Sequence, residues 1–200
     1  MIEKPLGGVR SRVPLPLPGH DPRPRRDAAR GWRRIDSPNR DARPEGETVR
    51  LIVIHAISLP PDEFGGPGVE QLFTNTLDPG AHPYYAAIHE LRVSAHYFIR
   101  RDGGLIEFVD PDLRAWHAGV SCWAGRERCN DFSVGIELEG CDTRPFEPVQ
   151  YRRLADLLRR LCRRYPVEGV VGHSDVAPGR KTDPGPCFDW AKLRRMLRRR

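Results

Sequence analysis

One stretch limits the possible folds more than any other. Residues 148–165 place Leu154, Leu157, Leu158, Leu161, Cys162 and Tyr165 at three- and four-residue steps, while Arg152, Arg153, Asp156, Arg159, Arg160, Arg163 and Arg164 fill the other face. That period is helical, and such an apolar stripe needs a second apolar surface to cover it. Pro166 ends the helix. The complementary signal is Arg50-Leu51-Ile52-Val53-Ile54, a short β-branched run of the kind that forms a buried strand, with His55 at its end.

Further elements alternate between the two types. Short helices are expected over 69–76 and 84–91. Strands are expected over 95–100 and 105–109, flanking the hairpin signal Arg101-Asp102-Gly103-Gly104. More strands are expected over 132–138 and 169–172, the second leading into His173. A last helix carries Trp190, Leu193 and Leu197, with Asp189 as its cap. Interspersed strands and helices in 200 residues imply one α/β domain, a mixed central β-sheet flanked by α-helices. Residues 1–30, rich in Pro and Arg and without apolar periodicity, read as an extended or disordered basic arm, leaving 31–200 for the folded domain.

Composition removes several classes. Five cysteines without a CxxC pair argue against a disulfide framework or a cysteine-rich zinc finger. No segment approaches the ~20 apolar residues of a membrane span. The first residues lack the apolar core of a secretion signal, so the cytoplasm is the expected compartment, with no membrane partner. The net charge of +6 is unevenly spread. Residues 150–200 carry fourteen Lys/Arg against five Asp/Glu, and residues 51–149 seven against fifteen. The arginines lack interleaved aromatics and no nucleic-acid motif accompanies them, so they read as solvated faces. Oligomeric state is left open, with a monomer favoured.

His55 and His173 both sit at the ends of strands, where side chains of an α/β sheet converge on one edge. Asp183, in Lys181-Thr182-Asp183-Pro184-Gly185, offers a carboxylate on the loop after His173. Two histidines and one carboxylate suit a catalytic zinc ion, which keeps a fourth position open. Spacing alone does not separate this from a core-edge histidine and a turn-forming aspartate. The strand Gly135-Ile136-Glu137-Leu138-Glu139-Gly140 favours the metal reading. Glu137 and Glu139 share one face of it, and an acidic face on an apolar strand needs cations or solvent. A glutamate beside such a centre can act as general base, and Lys181 can hold a developing oxyanion. His96 reads as a structural hydrogen-bonding residue, and His117 as a groove-lining one. His82 and His89 read as bystanders, and the cysteines as packed thiols.

Five blocks, VIHAISLPPDEFGG, SAHYFIRRDGGLIEFV, RAWHAG, GRERCNDFSVGIELEG and GHSDVAPGRKTDPGPCFDW, together resemble the AmpD-type N-acetylmuramoyl-L-alanine amidases. That family belongs to a zinc amidase superfamily that includes peptidoglycan recognition proteins and phage lysozyme-like amidases. The resemblance runs from about residue 31 to 190. It implies zinc on His55, His173 and Asp183, Glu137 as the catalytic glutamate, and Lys181 as transition-state stabiliser. It also implies substrate contacts at Arg92, Ala115, Trp116 and Arg128. The implied reaction is hydrolysis of the bond between 1,6-anhydro-N-acetylmuramic acid and L-alanine in muropeptides, in cytoplasmic peptidoglycan recycling. A catalytically silent muropeptide sensor on the same fold is the alternative. The family usually has Asn after the first ligand histidine; here Ala56 stands there, which bears on substrate affinity.

Overall fold

A computed structural model describes residues 32–198. The arm expected over 1–30 lies outside the described residues. The first strands are short, β1 (Arg33–Arg34) and β2 (Arg40–Ala42), followed by the long β3 (Leu51–Ile57). Helices α1 (Gly68–Phe73) and α2 (Pro83–Ile88) come next, then strands β4 (Tyr97–Ile99), β5 (Leu105–Glu107) and β6 (Leu113–Ala115). A small hairpin, β7 (Cys122–Trp123) and β8 (Arg126–Glu127), and a 3-10 turn, Cys129–Phe132, lead into β9 (Ser133–Glu139). The chain ends with α3 (Pro148–Arg164), β10 (Gly169–Gly172), the single turn α4 (His173–Val176) and α5 (Trp190–Arg198).

Six strands form one sheet in the order β1-β5-β4-β9-β3-β10. β4, β9, β3 and β10 run parallel, β5 runs antiparallel to β4, and β1 runs parallel to β5. The sheet is therefore mixed, as expected. Alternation along β3 sends Ile52 and Ile54 to one face and Leu51, Val53 and His55 to the other. The first face packs with Val134, Ile136 and Leu138 of β9 under Leu154, Leu157, Leu158 and Leu161 of α3. α5 lies against α3, with Leu193 fully buried and Arg159 donating to the Met196 carbonyl at 2.5 Å. The second face is covered by Ala118, Cys129, Phe132 and Val176. α1 and α2 close a third cluster over Phe98, Ile106 and Phe108.

Local details move some boundaries. α1 stops early because Thr74 Oγ bonds back to the Glu70 carbonyl at 2.8 Å and Asn75 turns left-handed at φ 60°. α2 begins at Pro83, and His82 caps it by accepting from the Tyr84 amide at 3.0 Å. Asp189 caps α5 through the Lys192 amide at 2.8 Å, as the sequence suggests. The cysteines divide. Cys129 and Cys162 are packed thiols, Cys122 is exposed, and Cys141 and Cys187 are half-buried, Cys187 donating to the Asp142 carbonyl at 3.1 Å.

Candidate metal centre

The register of the parallel strands assembles the centre. His55 on β3 pairs with Glu137 on β9, and Ile54 pairs with Gly172, the last residue of β10. His173 is the next residue, so Glu137, His55 and His173 arrive at one level of three adjacent strands, at their carboxyl ends. After α4 the loop returns, and the Asp183 carbonyl accepts from the Ser174 amide at 2.9 Å. That bond brings the Asp183 side chain back over the two histidines.

Three donor atoms then face one another. His55 Nδ1 lies 3.0 Å from His173 Nδ1, and Asp183 Oδ2 lies 3.1 Å from each. Both histidines are buried, and Asp183 is partly so. Burial pushes His55 down to about 4, so at neutral pH its ring is uncharged. His173 Nε2 donates to the Ala118 carbonyl at 3.1 Å, leaving its Nδ1 a bare lone pair. An ionised carboxylate packed against imidazole lone pairs calls for a cation. Donor separations of 3.0–3.1 Å compare with roughly 3.3 Å between ligands of a tetrahedral ion with ~2.0–2.1 Å bonds. Neutral imidazole nitrogens and a carboxylate oxygen are zinc donors, so the residues present fit the ion.

Glu137 is buried beside this triad, and its Oε2 has no hydrogen-bond partner among the described residues. Burial, then the Asp183 charge, pushes its carboxyl well above the usual range, and Lys181 draws it down. Lys181 acts on His55 as well, so its charge falls on the centre although the residue is exposed. Glu139 departs from the expectation of a shared acidic site. Its carboxylate accepts from the Gly65 and Arg101 amides at 2.5 and 2.8 Å, tying two loops to the strand end.

The other expected site residues make no hydrogen bond or ion pair with the triad among the described residues. Arg92 is exposed, donating to the His89 and Leu91 carbonyls at 3.3 and 3.4 Å. Arg128 is exposed, pairs with Asp131 at 3.1 Å, and lines a cleft with Gly119, Val120, Val176 and Arg180. Trp116 is half-buried, and its backbone amide donates to Ser94 Oγ at 3.0 Å. Ala115, whose implied contact is through its backbone, is 0% exposed and pairs with Arg40 in the ladder between β2 and β6.

Two residues matter more than the sequence reading allowed. His117 meets His55 directly, Nδ1 to Nε2 at 3.0 Å. The available signal is Gly135: a glycine inside a strand marks a close approach, and a Cβ there would meet the His117 ring at 2.4 Å. Arg43, in a segment read as loop, is half-buried, its guanidinium donating to the carbonyls of Pro111, Asn130, Asp131 and Ser133. His96 is the structural residue expected, accepting from the Gly135 amide at 3.0 Å and facing the Leu113 carbonyl at 3.1 Å.

A mixed sheet bearing two histidines and one carboxylate that could hold a metal ion at its strand ends, with a buried glutamate alongside, is an arrangement that metal-assisted hydrolases use. The chain belongs to the N-acetylmuramoyl-L-alanine amidase family, which it matches over residues 45–186, and it is an amidase. It is 58% identical to the 1,6-anhydro-N-acetylmuramyl-L-alanine amidase AmpD of Escherichia coli (strain K12), over 82% of this chain and 91% of that protein. It is 56% identical to the AmpD of Citrobacter freundii, over 84% and 92%. A crystal structure of a selenomethionine AmpD derivative superposes with a TM-score of 0.83 at 55% identity, covering 85% of this chain and 96% of that one. A more distant likeness, TM-score 0.54 at 32% identity, is to the Escherichia coli amidase AmiD in complex with its substrate anhydro-N-acetylmuramic acid-L-Ala-D-gamma-Glu-L-Lys. That match covers 74% of this chain and 57% of AmiD.

Proposed function

We propose that this chain hydrolyses the amide bond between 1,6-anhydro-N-acetylmuramic acid and L-alanine in muropeptides, with zinc held by His55, His173 and Asp183. The observation that carries this reading is the convergence of those three donors beside the unpartnered, buried carboxyl of Glu137. The anhydro-muramyl substrate class rests on the identity to the AmpD proteins over most of both chains. A silent sensor is disfavoured, because a binding module has no use for a buried acid-base group next to a metal triad.

When bound, zinc supplies Lewis-acid polarisation of the scissile carbonyl and acidifies a water molecule at neutral pH. Glu137 moves the proton. As the carboxylate it accepts the water proton, which its raised proton affinity favours, and it then returns that proton to the departing amine of L-alanine. Burial without a competing donor keeps Oε2 available for both transfers. Lys181 places its positive charge toward the same point and holds the oxyanion. Arg92 and Arg128, both exposed, offer guanidinium groups to stem-peptide carboxylates, and Trp116 forms part of the groove wall. None of the described helices is long and apolar enough to cross a membrane. We place the enzyme in the cytoplasm, acting on recycled wall fragments.

The test is incubation of zinc-loaded protein with 1,6-anhydro-N-acetylmuramyl tripeptide, read by mass spectrometry. Release of the free tripeptide and anhydro-muramic acid is expected. Unchanged substrate bound at micromolar affinity would instead identify a sensor.

A further inference from the structure

The outer nitrogens of the two candidate ligand histidines are held by consecutive residues. Ala118 supplies its carbonyl to His173, and His117 supplies its ring to His55. The direction of the second contact follows from the bonds behind it. Ser133 Oγ lies 2.5 Å from the Cys129 carbonyl, which only accepts, so the hydroxyl proton points there. The oxygen lone pair then faces His117 Nε2 at 3.2 Å, and that nitrogen has to be the donor. A neutral imidazole has one N–H, so His117 Nδ1 is an acceptor. It faces His55 Nε2 at 3.0 Å, which therefore carries the His55 proton. His55 Nδ1 is left bare, directed at Asp183 and His173.

We propose that His117 is a positioning residue: backed by Ser133, its ring accepts the Nε2 proton of His55 and so fixes the tautomer that opens His55 Nδ1 to a metal ion. The proposal rests on His55 being a ligand, as argued above. The seat of the ring matches the role. The His117 and Ala118 amides both donate to Asn130 Oδ1, at 3.2 and 2.8 Å, so one side chain fixes the backbone of both supporting residues. Gly135 lies against the ring where any Cβ would collide at 2.4 Å from Cγ, and the His96 ring packs edge to face with it, centroids 5.7 Å apart. Ser133, Gly135 and Glu137 alternate along one face of β9, so a single strand presents the relay's last link, its clearance and the acid-base group.

The experiment compares the full chain with its His117→Leu, His117→Asn and Ser133→Ala variants. Zinc affinity is read by chelator competition, and the His55 tautomer in metal-free protein by long-range proton–nitrogen NMR. Wild type is expected to show the Nε2–H form alone. His117→Leu keeps bulk but offers no acceptor. It should show mixed tautomers and about 10–100-fold weaker zinc binding, the usual loss on removing an outer partner of a ligand histidine. His117→Asn restores an acceptor at the Nδ1 position and should recover most of the affinity. Ser133→Ala should shift the tautomer in the same direction with a smaller loss, and it keeps the test available if His117→Leu does not fold. Wild-type affinity together with a pure Nε2–H tautomer in either relay-breaking variant overturns the proposal. Failure of the wild type itself to bind zinc overturns the ligand reading, and the relay with it. Binding that is lost in His55→Ala but unchanged in His117→Leu overturns the relay alone.

Discussion

His96 should make the protein sensitive to acid through a linkage that can be isolated. Its Nδ1 accepts from the Gly135 amide, so a proton there would face another N–H, and the Arg43 guanidinium lies 3.2 Å from Nε2. Burial first, then Arg43, pushes this histidine from 6.5 down to about 3, with the Leu113 carbonyl opposing. Between these values the unfolded chain binds a proton that the folded chain refuses. Stability is therefore complete above pH 6.5 and falls as pH drops toward 3. At pH 5 the deficit is one and a half units at about 1.4 kcal/mol each, roughly 2 kcal/mol. Glu137, raised by burial, works with the opposite sign over part of this range, so total stability is a poor readout. The diagnostic quantity is the difference from a His96→Asn variant, whose amide oxygen can still accept from Gly135. Urea unfolding of metal-free protein at pH 7, 6 and 5 should show the gap between wild type and variant shrinking by about 2 kcal/mol. Parallel pH curves would mean that His96 titrates normally in the fold, and the neutral, locked ring would be refuted.

The remaining expectations concern the site. Glu137→Gln should abolish turnover yet retain one zinc per chain by metal analysis; loss of the metal would mark Glu137 as a ligand. Asp183→Ala should lose zinc on dialysis against a weak chelator, whereas full occupancy would remove Asp183 from the centre. Lys181→Ala should keep its zinc and lower kcat by about 10²–10³-fold, the usual cost of losing one oxyanion donor. An unchanged kcat with a raised KM would make Lys181 a substrate-binding residue instead.

Much of this arrangement was legible because it depends on local pattern. The β-branched run before His55, the alternation through Glu137 and the apolar stripe of α3 each specify an element and a face. The parallel register of β9, β3 and β10 then brings Glu137, His55 and His173 level. Asp183 was visible chiefly through the family resemblance, since a turn aspartate looks the same with or without a metal. What could not be read depends on which loop covers the face of the sheet opposite α3. The contact of His117 with His55 spans 62 residues of sequence and no periodicity encodes it. Glu139 looked equivalent to Glu137 because both point the same way. It differs only because the Gly65 and Arg101 amides reach it and not its neighbour. The pairing of β2 with Ala115 was hidden for a related reason, since that segment reads as loop.

Crystals of the zinc-loaded chain, measured at the zinc absorption edge, test the central claim most directly. One anomalous peak is expected within about 2.0–2.2 Å of His55 Nδ1, His173 Nδ1 and an Asp183 carboxylate oxygen. A peak elsewhere, or one reached through the Nε2 atom of either histidine, would contradict it.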